Sequence, residues 1–528
     1  MVRALADLTV GLASGVPSGL MVSDVTLDSR AATPGSLFLA CRGHKNHGLD
    51  FAEQAISLGA SAVLYEPVND DRRPPSQSAP GVFFGSVPQL SRHVGTIADR
   101  FFGSPSQSMA IAGITGTNGK TTCAYLLSQA LTHCGKPTGY TGTIGYGMPS
   151  ALTATAHTTS DAVTVHRQLN QLRLIGAECV AMEVSSHALD QGRVNAVRFH
   201  TAVFTNLTRD HLDYHGTMDK YGAAKALLFA SSGLVACVIN VDDEFGAQLA
   251  ARPTNARVVV TTRREPSTLA QFVRATRVRA QSTGLVIAIE SSWGVGEVAV
   301  SLIGDFNVEN VLTVLATLLT WGVPLIDATT ALAKCKAPSG RLELFGGDGV
   351  RPLAVVDYAH TPDAMSKVLR AARLHCKGRL HVVFGCGGDR DPGKRPLMGT
   401  IAAELADNIV VTDDNPRTED PRRIVADICA GLRAVGKAPY LGGGVGVTGV
   451  QRIGAPAIPI VVRATSVRVE HDRKRAIVST LEGAALDDVV VVAGKGHEDY
   501  QIYGTEHRPF SDQAVIREHF GEQACSGR

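Results

Sequence analysis

The chain alternates between short apolar runs and amphipathic stretches over most of its length. Each apolar run is rich in β-branched residues, ends in a glycine- or aspartate-rich turn and is followed by a helical pattern. Continuous apolar strands that alternate with helices are typical of parallel sheets covered on both faces, so the pattern predicts α/β domains. The runs are MAIAGITGTNGKTT, ECVAMEVSSH, TAVFTNLTRDH, LVACVINVDDE, LAVVDYAHT, LHVVFGCGGDRD, NIVVTDDNPR and DVVVVAGKGHE.

The length of 528 residues corresponds to about three or four domains. Changes in composition near FFGSPSQS and APSGRLELFGGDG divide the chain into three segments, and no internal repeat is present. We therefore predict domains at 1–105, 106–345 and 346–528. The polar, proline-rich stretch 71–80 is expected to be a loop, and 437–466 breaks the strand-helix alternation and is expected to be an irregular insertion.

Composition excludes several classes of protein. The charges nearly cancel, with 51 basic and 49 acidic residues, and aromatic residues make up 5% of the chain. We therefore expect no nucleic-acid partner. No run reaches the roughly 18 apolar residues of a membrane span, and the start does not resemble a signal peptide. The ten cysteines are scattered without a C-x-x-C pair, as in reduced thiols. We expect a cytoplasmic protein without membrane insertion, acting as a monomer.

The run GITGTNGKTT at 113–122 predicts a phosphate-binding loop between a strand and a helix. Glycines let backbone N–H groups turn toward a phosphate, and the helix N-terminus adds positive potential. Lys120 is placed to reach the terminal phosphates, and the Thr121 hydroxyl to bind Mg²⁺. The strict Walker spacing requires glycine at 114, where this chain has isoleucine, so the strand-loop-helix context carries the prediction. A glycine turn without a ligand is the alternative.

The loop and the runs that follow it resemble the Mur ligase family, the ATP-dependent amide-forming enzymes of peptidoglycan synthesis. The resemblance covers almost the whole chain and rests on TGTNGKTT, HTTSD, EVSSHALDQGR, NLTRDHLDYHG, AAKALLF, GDFNVEN, SGRLE, DYAHTPD, FGCGGDRDPGKRP, DNPR and GKGHEDYQ. It implies three domains: a central P-loop ATPase-like parallel sheet, a C-terminal Rossmann-like domain and a smaller N-terminal α/β domain. It also implies that ATP phosphorylates a carboxylate and that an amine attacks the acyl phosphate.

The resemblance assigns the catalytic and ATP-binding positions, with ATP and Mg²⁺ as cofactors. The expected catalytic residues are Lys120, Glu183, His211 and Lys225, with the last carbamylated. The expected metal-binding residues are Thr121, Glu183, His211 and Lys225. The expected ATP-binding residues are Gly116, Thr117, Asn118, Gly119, Lys120, Thr121, Thr122, Asn307, Asn310, Arg341 and Asp357. Without the resemblance, the sequence would favour a surface position for Glu183 and Lys225 and a structural role for His211. It would favour a helix-capping role for Asn307 and Asn310. Reach from the third segment to the nucleotide implies domain closure.

The resemblance also assigns two substrates, a UDP-N-acetylmuramoyl dipeptide and meso-2,6-diaminopimelate. The UDP-sugar-peptide residues are expected to be Leu27, Ser29, Thr158, Thr159, Ser185, Gln191 and Arg193. The diaminopimelate residues are expected to be Arg390, Asp414, Asn415, Pro416, Arg417, Gly494 and Glu498. Two arginine forks and one acid suit an amino acid with an additional amine and an additional carboxylate. Lysine lacks the second carboxylate. For Leu27 and Ser29, the alternative is an ordinary turn. For the DNPR run, the alternative is an Asn-Pro turn with a solvated Arg417.

Other functions compete with diaminopimelate ligation. A lysine-adding ligase of the same family would lack the need for a second carboxylate site. Folylpolyglutamate synthases and the ligase for D-alanyl-D-alanine would lack DNPR and GKGHED. A plain P-loop kinase or ATPase would need neither the first nor the third segment. A non-catalytic ligase-like subunit of an assembly would be free to lose Lys120 or Arg417, and this chain keeps both.

Overall fold

The computed structural model describes residues 1–43, 46–67, 81–155, 157–265, 271–436 and 466–522. The predicted loop at 71–80 and the predicted insertion at 437–466, except for its last residue, lie outside the described residues. Contacts divide the chain into two compact units. The first comprises Met1–Thr262, Pro266–Phe272 and Ala316–Val323, and the second comprises Arg263–Glu265, Val273–Leu315 and Pro324–Arg528.

The first unit contains the N-terminal and central sheets. Its elements are β1 Arg3–Ala4, α1 Leu5–Leu8, β2 Met21–Val22, β3 Asp24–Thr26, β4 Ser36–Ala40, α2 Ala52–Ser57, β5 Ala62–Tyr65, β6 Phe83–Ser86, α3 Leu90–Phe102, β7 Ala110–Thr115, α4 Lys120–His133, β8 Thr138–Gly142, β9 Gly145–Met148, β10 Ala151–Thr153, α5 Ala162–Leu174, β11 Cys179–Glu183, α6 Ser186–Asp190, β12 Thr201–Phe204, α7 Leu212–His215, α8 Met218–Ala226, β13 Ala236–Asn240, α9 Glu244–Ala250 and β14 Arg257–Thr262.

The central sheet of this unit has the strand order β10-β9-β8-β11-β7-β12-β13-β14. The strands from β8 to β14 in this order are parallel, and β9 and β10 add an antiparallel edge. Strands β7, β11, β12 and β13 are almost entirely buried, as their continuous apolar sequences require. Their carboxyl ends lie at one edge of the sheet, where ligands bind in such folds.

The N-terminal sheet is a parallel four-stranded sheet in the order β3-β4-β5-β6. Helix α3 covers it with an apolar face that includes Phe101 and Phe102. The same buried cluster takes in Ala162 and Val163 from α5, so the N-terminal and central sheets share packed side chains. This packing places the N-terminal sheet within the first unit rather than apart from it.

The second unit contains the antiparallel strands β15 to β17 and a second parallel sheet; β15 and α10 have residues in both units. Its elements are β15 Gln271–Gln281, β16 Gly284–Ser291, β17 Gly294–Val300, α10 Asn307–Thr320, α11 Leu325–Ala333, β18 Glu343–Gly346, β19 Leu353–Asp357, α12 Pro362–Arg373, β20 Leu380–Phe384, α13 Lys394–Leu405, β21 Asn408–Val411, α14 Pro421–Ala434, β22 Ser466–Val469, α15 Arg473–Glu482, β23 Val489–Ala493, β24 Tyr500–Tyr503, β25 Glu506–Pro509 and α16 Asp512–His519.

The C-terminal sheet has six strands in the order β18-β19-β23-β20-β21-β22, all parallel except the edge strand β18. Two buried apolar clusters cover its two faces, one against α12, α13 and α14 and the other against α15 and α16. The predicted α/β fold with parallel sheets is confirmed. The boundaries at 105/106 and 345/346 stay a prediction, because neither coincides with the division between the two units.

Candidate active site

The loop from Gly116 to Gly119 joins β7 to the first residue of α4, Lys120. Gly116 has φ 152° and Gly119 has φ 85°, conformations that favour glycine. A β-carbon at Gly116 would collide with the Thr205 hydroxyl, so no larger residue fits. The N-terminus of a 14-residue helix therefore follows a glycine turn, as the phosphate-loop prediction requires.

The remaining loop residues are anchored to the segment after β12. Thr117 Oγ1 donates to the Thr208 carbonyl at 3.2 Å, and the Asn118 N–H donates to Asn206 Oδ1 at 2.9 Å. Thr122 is half-buried in the first turn of α4. These contacts fix the loop backbone before any ligand arrives.

Two lysines converge on the carbonyl of Gly116. Lys120 Nζ donates to it at 2.8 Å and to the Thr117 carbonyl at 2.8 Å, and Lys225 Nζ donates to it at 2.8 Å. Lys225 is 1% exposed, so it is not the solvated lysine that its position in a helix suggests. Burial, together with the charge of Lys120, lowers the pKa of Lys225 to about 6. Its side chain is therefore largely an uncharged amine at neutral pH.

Glu183 is the last residue of β11 and is 1% exposed, so it is not a surface residue. Thr121 Oγ1 donates to its Oε2 at 2.9 Å, so the structure brings these two residues together. The Thr143 N–H and the Tyr140 hydroxyl donate to Oε1 at 2.8 and 2.5 Å. Tyr140 and Thr143 were not among the residues predicted from the sequence. The signal was a polar TGYTGT run at the end of β8, beside β11 in the sheet.

His211 contacts Asp210 and the rings of His187 and Tyr221. Its ring is half exposed, its Nε2 lies 3.5 Å from Asp210, and its centroid lies 4.8 Å from that of His187. The Tyr221 ring lies 6.1 Å from the His211 ring and 4.2 Å from Lys225 Nζ. Within the described ranges, no group of three or more His, Cys, Asp or Glu is arranged to hold a metal ion.

Five of the residues predicted to hold the UDP-sugar peptide form one connected network. Thr158 Oγ1 lies 3.0 Å from Thr143 Oγ1, and Thr159 Oγ1 donates to the Glu183 carbonyl at 2.9 Å. The Ser185 N–H donates to Thr159 Oγ1 at 3.1 Å.

Arg193 completes this network, because its Nη1 donates to the Thr159 carbonyl at 2.9 Å and its Nη2 to Gln191 Oε1 at 2.6 Å. The network therefore extends from the carboxylate of Glu183 to an arginine fork.

Leu27 and Ser29 lie at the end of β3 in the N-terminal sheet. Leu27 is half-buried against the apolar cluster of that sheet. Ser29 is buried at the start of a short 3-10 turn, and its hydroxyl donates to Gln54 at 2.7 Å. These contacts are those of a well-packed turn, and the roles in uridine binding stay predictions.

The nucleotide residues predicted from the later chain all lie in the second unit's segments. Asn307 is the first residue of α10 and Asn310 lies in its first turn, so both asparagines are within the helix rather than before it. Its Nδ2 donates to the Ile303 carbonyl at 2.8 Å, and Asn310 Nδ2 donates to Asn307 Oδ1 at 2.8 Å. The first amide thus binds the turn that enters the helix.

Asp357 ends β19 and is buried, with its carboxylate accepting the N–H groups of Leu342 and Ala359 at 2.8 Å each. Burial raises the pKa of Asp357 to about 6, against the opposing charge of Arg341. The Arg341 guanidinium lies over the Tyr358 ring, 5.2 Å from its centroid. Both residues therefore lie at the carboxyl end of the C-terminal sheet.

Arg390 and Arg417 flank Gly387. A β-carbon built on Gly387 would lie 2.9 Å from Arg417 Nη1 and 3.7 Å from Arg390 Cγ. Arg390 is exposed, whereas Arg417 is half-buried with Nη1 donating to the Gly388 carbonyl at 2.8 Å. Pro416 is buried between Asn415 and Arg417. The solvated-arginine reading therefore fails for Arg417.

Asp414, Asn415 and Glu498 surround a buried lysine, Lys495. Its Nζ lies 3.4 Å from Asp414 Oδ1, 3.1 Å from Asn415 Oδ1 and 3.2 Å from Glu498 Oε2. Gly494, the neighbour of Lys495, has φ 117°, and a β-carbon there would lie 3.4 Å from Asp414 Oδ2. Lys495 was not among the residues predicted from the sequence, although it lies within the GKGHED run.

Together, the glycine loop at a helix N-terminus, the paired lysines and the buried Thr121–Glu183 contact define a P-loop nucleotide-binding protein. The comparisons give the family. Models of the Mur ligase middle domain match residues 114–318, of the Mur ligase glutamate ligase domain residues 340–496, and of the Mur ligase family catalytic domain residues 22–101. The chain belongs to the Mur ligase family.

Curated relatives match nearly the whole chain. The UDP-N-acetylmuramoyl-L-alanyl-D-glutamate–2,6-diaminopimelate ligase of Pseudomonas aeruginosa is 44% identical over 93% of this chain and 94% of its own length. The ligase of the same name from Chromobacterium violaceum is 44% identical over 95% of this chain and 94% of its own length.

Solved structures agree in fold. A UDP-N-acetylmuramoyl-L-alanyl-D-glutamate–2,6-diaminopimelate ligase structure has a TM-score of 0.70 at 31% identity and covers 99% of each chain. MurF from Acinetobacter baumannii has a TM-score of 0.61 at 18% identity, covering 93% of this chain and 94% of its own, and shows the fold alone. Among the helices of the described residues, none is long and apolar enough to cross a membrane.

Proposed function

We propose that this chain is the ATP-dependent ligase that joins meso-2,6-diaminopimelate to UDP-N-acetylmuramoyl-L-alanyl-D-glutamate in peptidoglycan precursor synthesis. The observation that carries the proposal is the 44% identity over nearly full length to ligases of that name. The dipeptide carboxylate accepts the γ-phosphoryl group of ATP, and ADP leaves. The diaminopimelate amine then attacks the acyl phosphate and expels phosphate, which forms the amide.

Lys120 and the N-terminus of α4 are proposed to hold the ATP phosphates. Phosphoryl transfer depends on positioning and on neutralising negative charge, which an ammonium group and backbone N–H groups both provide. The family uses ATP, and a fold relative is a Thermotoga maritima MurF in complex with ADP. Gly116, Thr117, Asn118, Gly119 and Thr122 are proposed to line the phosphates from the loop and first helical turn.

The donors around Glu183 fit Mg²⁺. A buried carboxylate 2.9 Å from the Thr121 hydroxyl offers the hard oxygen ligands that this ion prefers. When bound, Mg²⁺ would offset the negative charge of the ATP phosphates. Thr121 and Glu183 are the residues best placed to hold it, and His211 and Lys225 stay proposed members of the set.

Lys225 is proposed to carry a carbamate. An uncharged amine adds to CO₂ to give a carbamate and a proton, and the low pKa of Lys225 favours that uncharged form. The product is an anion in place of a cation beside Lys120. A buried anion there would pair with the Lys120 ammonium, whereas a second ammonium repels it.

The remaining assignments extend the proposal to both substrates. The Thr158–Arg193 network is proposed to hold the sugar-peptide, and Leu27 and Ser29 the uridine. Asn307, Asn310, Arg341 and Asp357 are proposed to contact ATP upon domain closure.

Arg390 and Arg417 are proposed to bind the distal carboxylate of diaminopimelate, since both are next to Gly387. Glu498 and Asp414 are proposed to bind its distal ammonium, with Asn415, Pro416 and Gly494 shaping the site. Lys495 already neutralises one of the two acidic charges. The cluster therefore retains a single net negative charge, which suits one ammonium group.

We propose a cytoplasmic monomer that binds no nucleic acid. The nine cysteines in the described part of the chain form no disulfide, and six of them are buried. Reduced thiols in this number are typical of a reducing compartment.

The test is ATP-dependent phosphate release with the UDP-muramoyl dipeptide and either meso-diaminopimelate or lysine. We expect turnover with diaminopimelate and little with lysine. Equal turnover with both would reassign the chain to lysine ligation. Phosphate release without any amino acid would identify a plain ATPase, and no release would favour a non-catalytic subunit. The Lys120→Ala variant, which should release no phosphate, controls for contaminating ATPases.

A further inference from the structure

Two backbone segments that carry the arginine forks lie in direct contact. The first, residues 387–390, follows β20, and the second, residues 415–419, follows β21. The Gly388 N–H donates to the Asn415 carbonyl at 2.9 Å. A β-carbon at Gly388 would collide with the Pro416 carbonyl, so the two backbones are as close as glycine allows.

Each segment contains a non-glycine residue in the left-handed region. Asp389 has φ 53° and Arg417 has φ 54°. Such residues persist only where their surroundings hold them. The Asp389 N–H donates to Glu419 Oε1 at 2.5 Å, and the Asp389 carboxylate accepts the Thr418 N–H at 3.1 Å. The two strained residues are thus held by one another's segments.

Arg395 in α13 lies behind this contact and is 2% exposed. Its Nη2 donates to Glu419 at 2.8 Å and to the Gly387 carbonyl at 3.4 Å, and its Nη1 donates to Asp427 of α14 at 2.9 Å. One guanidinium therefore binds both segments and a neighbouring helix. Arg395 differs from the proposed substrate-binding arginines, Arg390 and Arg417, because its guanidinium is buried and binds groups of the protein itself.

We propose that Arg395 is a positioning residue that sets the distance between the Arg390 and Arg417 forks. By holding Glu419 against Asp389, it fixes the left-handed turns that aim both guanidinium groups across Gly387. It thereby determines how well the site accepts an amino acid with a second carboxylate. This inference rests on the proposed function and adds a specificity determinant to it.

Stability alone does not explain the Arg395 cluster. Replacing buried ion pairs by apolar groups is often neutral for stability, so a fold does not require one. A planar fork can bind Glu419 and Asp427 at once through two nitrogens, whereas an ammonium is a point charge. Arg395→Lys therefore keeps the charge and removes the geometry that the proposal invokes.

The experiment measures kcat and KM for each substrate in Arg395→Lys. We expect KM for meso-diaminopimelate to rise about tenfold or more, since misplacement of a positioning group by an ångström weakens binding strongly. KM for ATP and for the UDP-muramoyl dipeptide should stay within about twofold. Arg423→Lys, an exposed arginine on α14, is the matched control and should change no KM.

A second variant tests the route through Glu419 and remains informative if Arg395→Lys does not fold. Glu419→Gln should raise KM for diaminopimelate, and its effect should not add to that of Arg395→Lys in the double variant. Full additivity would show that the two residues act separately and would overturn the proposal.

Three further outcomes overturn it. If all three KM values rise together, Arg395 acts on the whole fold. If KM for diaminopimelate is unchanged while Arg417→Ala raises it, the forks do not depend on Arg395. If Arg417→Ala also leaves that KM unchanged, the proposed diaminopimelate site is wrong, and the inference falls with it.

Discussion

Lys225 is a buried amine between an aromatic ring and a backbone carbonyl. Its Nζ lies 4.2 Å from the centroid of Tyr221 and 2.8 Å from the Gly116 oxygen. Burial, and then the charge of Lys120 on the same carbonyl, disfavour a second positive charge and lower the pKa of Lys225 to about 6. A lysine in such a place is reactive because it is uncharged at neutral pH.

Lys225→Met should stabilise the fold and abolish ligation. Between pH 6 and pH 10.5, the unfolded chain binds a proton at Lys225 that the folded chain has released. The free energy of unfolding of the wild type therefore rises with pH in this window, by up to about 1 kcal/mol per pH unit. The stability advantage of the methionine variant should shrink accordingly.

Urea unfolding at pH 6.5 and pH 9 in bicarbonate-free buffer measures this difference. A stability gap that does not change with pH would contradict the low pKa. Lys220→Met, in the same helix and exposed, is the control and should show neither the stability gain nor the loss of activity.

Arg417→Ala should raise KM for diaminopimelate by about tenfold to a hundredfold, the usual cost of a lost charged hydrogen bond. KM for ATP should not change, because the phosphate loop lies on β7 and α4. Steady-state kinetics with each substrate varied in turn measures both values. Arg423→Ala removes an exposed arginine from α14 as a control, and an equal rise in both KM values would argue for a general structural defect.

At the scale of elements, the turn from β7 into α4 depends on one glycine. Gly116 approaches Thr205 so closely that even a methyl group collides. Gly135, which follows the other end of α4, also has a positive φ of 79° but has nothing within 4 Å of an added β-carbon. At Gly116 a side chain is therefore excluded by a steric clash, whereas at Gly135 glycine is favoured only by the positive φ.

Gly116→Ala should remove ATP binding, because the loop must move to relieve the collision. Gly135→Ala should bind ATP normally and lose only about 1–2 kcal/mol of stability from its left-handed backbone. The increase in melting temperature on adding ADP measures binding in both variants. An equal increase in the two would show that the loop tolerates the methyl group.

Strands were predictable because their apolar runs are continuous, and all eight quoted runs form strands. The partner of the Asn307 side chain was not predictable, because its amide binds the preceding turn, a contact that no periodicity reveals. The burial of Lys225 and the contact of Lys495 with Asp414 could not be predicted from the sequence, because both depend on residues far away in the chain. Local pattern determines elements, whereas tertiary contacts determine the chemistry of side chains.

For the whole molecule, the near balance of 51 basic and 49 acidic residues predicts weak electrostatic steering. The value of kcat/KM for the UDP-muramoyl dipeptide should fall less than about threefold between about 50 and about 300 mM KCl. Sucrose at matched osmolality controls for effects other than screening. A steep decline would reveal a long-range field that the total charge does not.

The fold of the whole chain is shared more widely than its substrate site. MurF from Acinetobacter baumannii is 18% identical and has the same fold over 93% of this chain. The class of the fold therefore follows from apolar patterning, which many sequences satisfy. The substrate must be argued from particular residues, such as the arginines beside Gly387.

The contact between Gly388 and Pro416 limits how this enzyme can diverge. No side chain fits at Gly388, so most single substitutions there should be lost to selection. A lineage that changes its amino acid substrate must then do so by replacing side chains proposed to bind it, such as that of the exposed Arg390, on an unchanged backbone. Directed evolution toward another amino acid should begin at those side chains and leave the turn untouched.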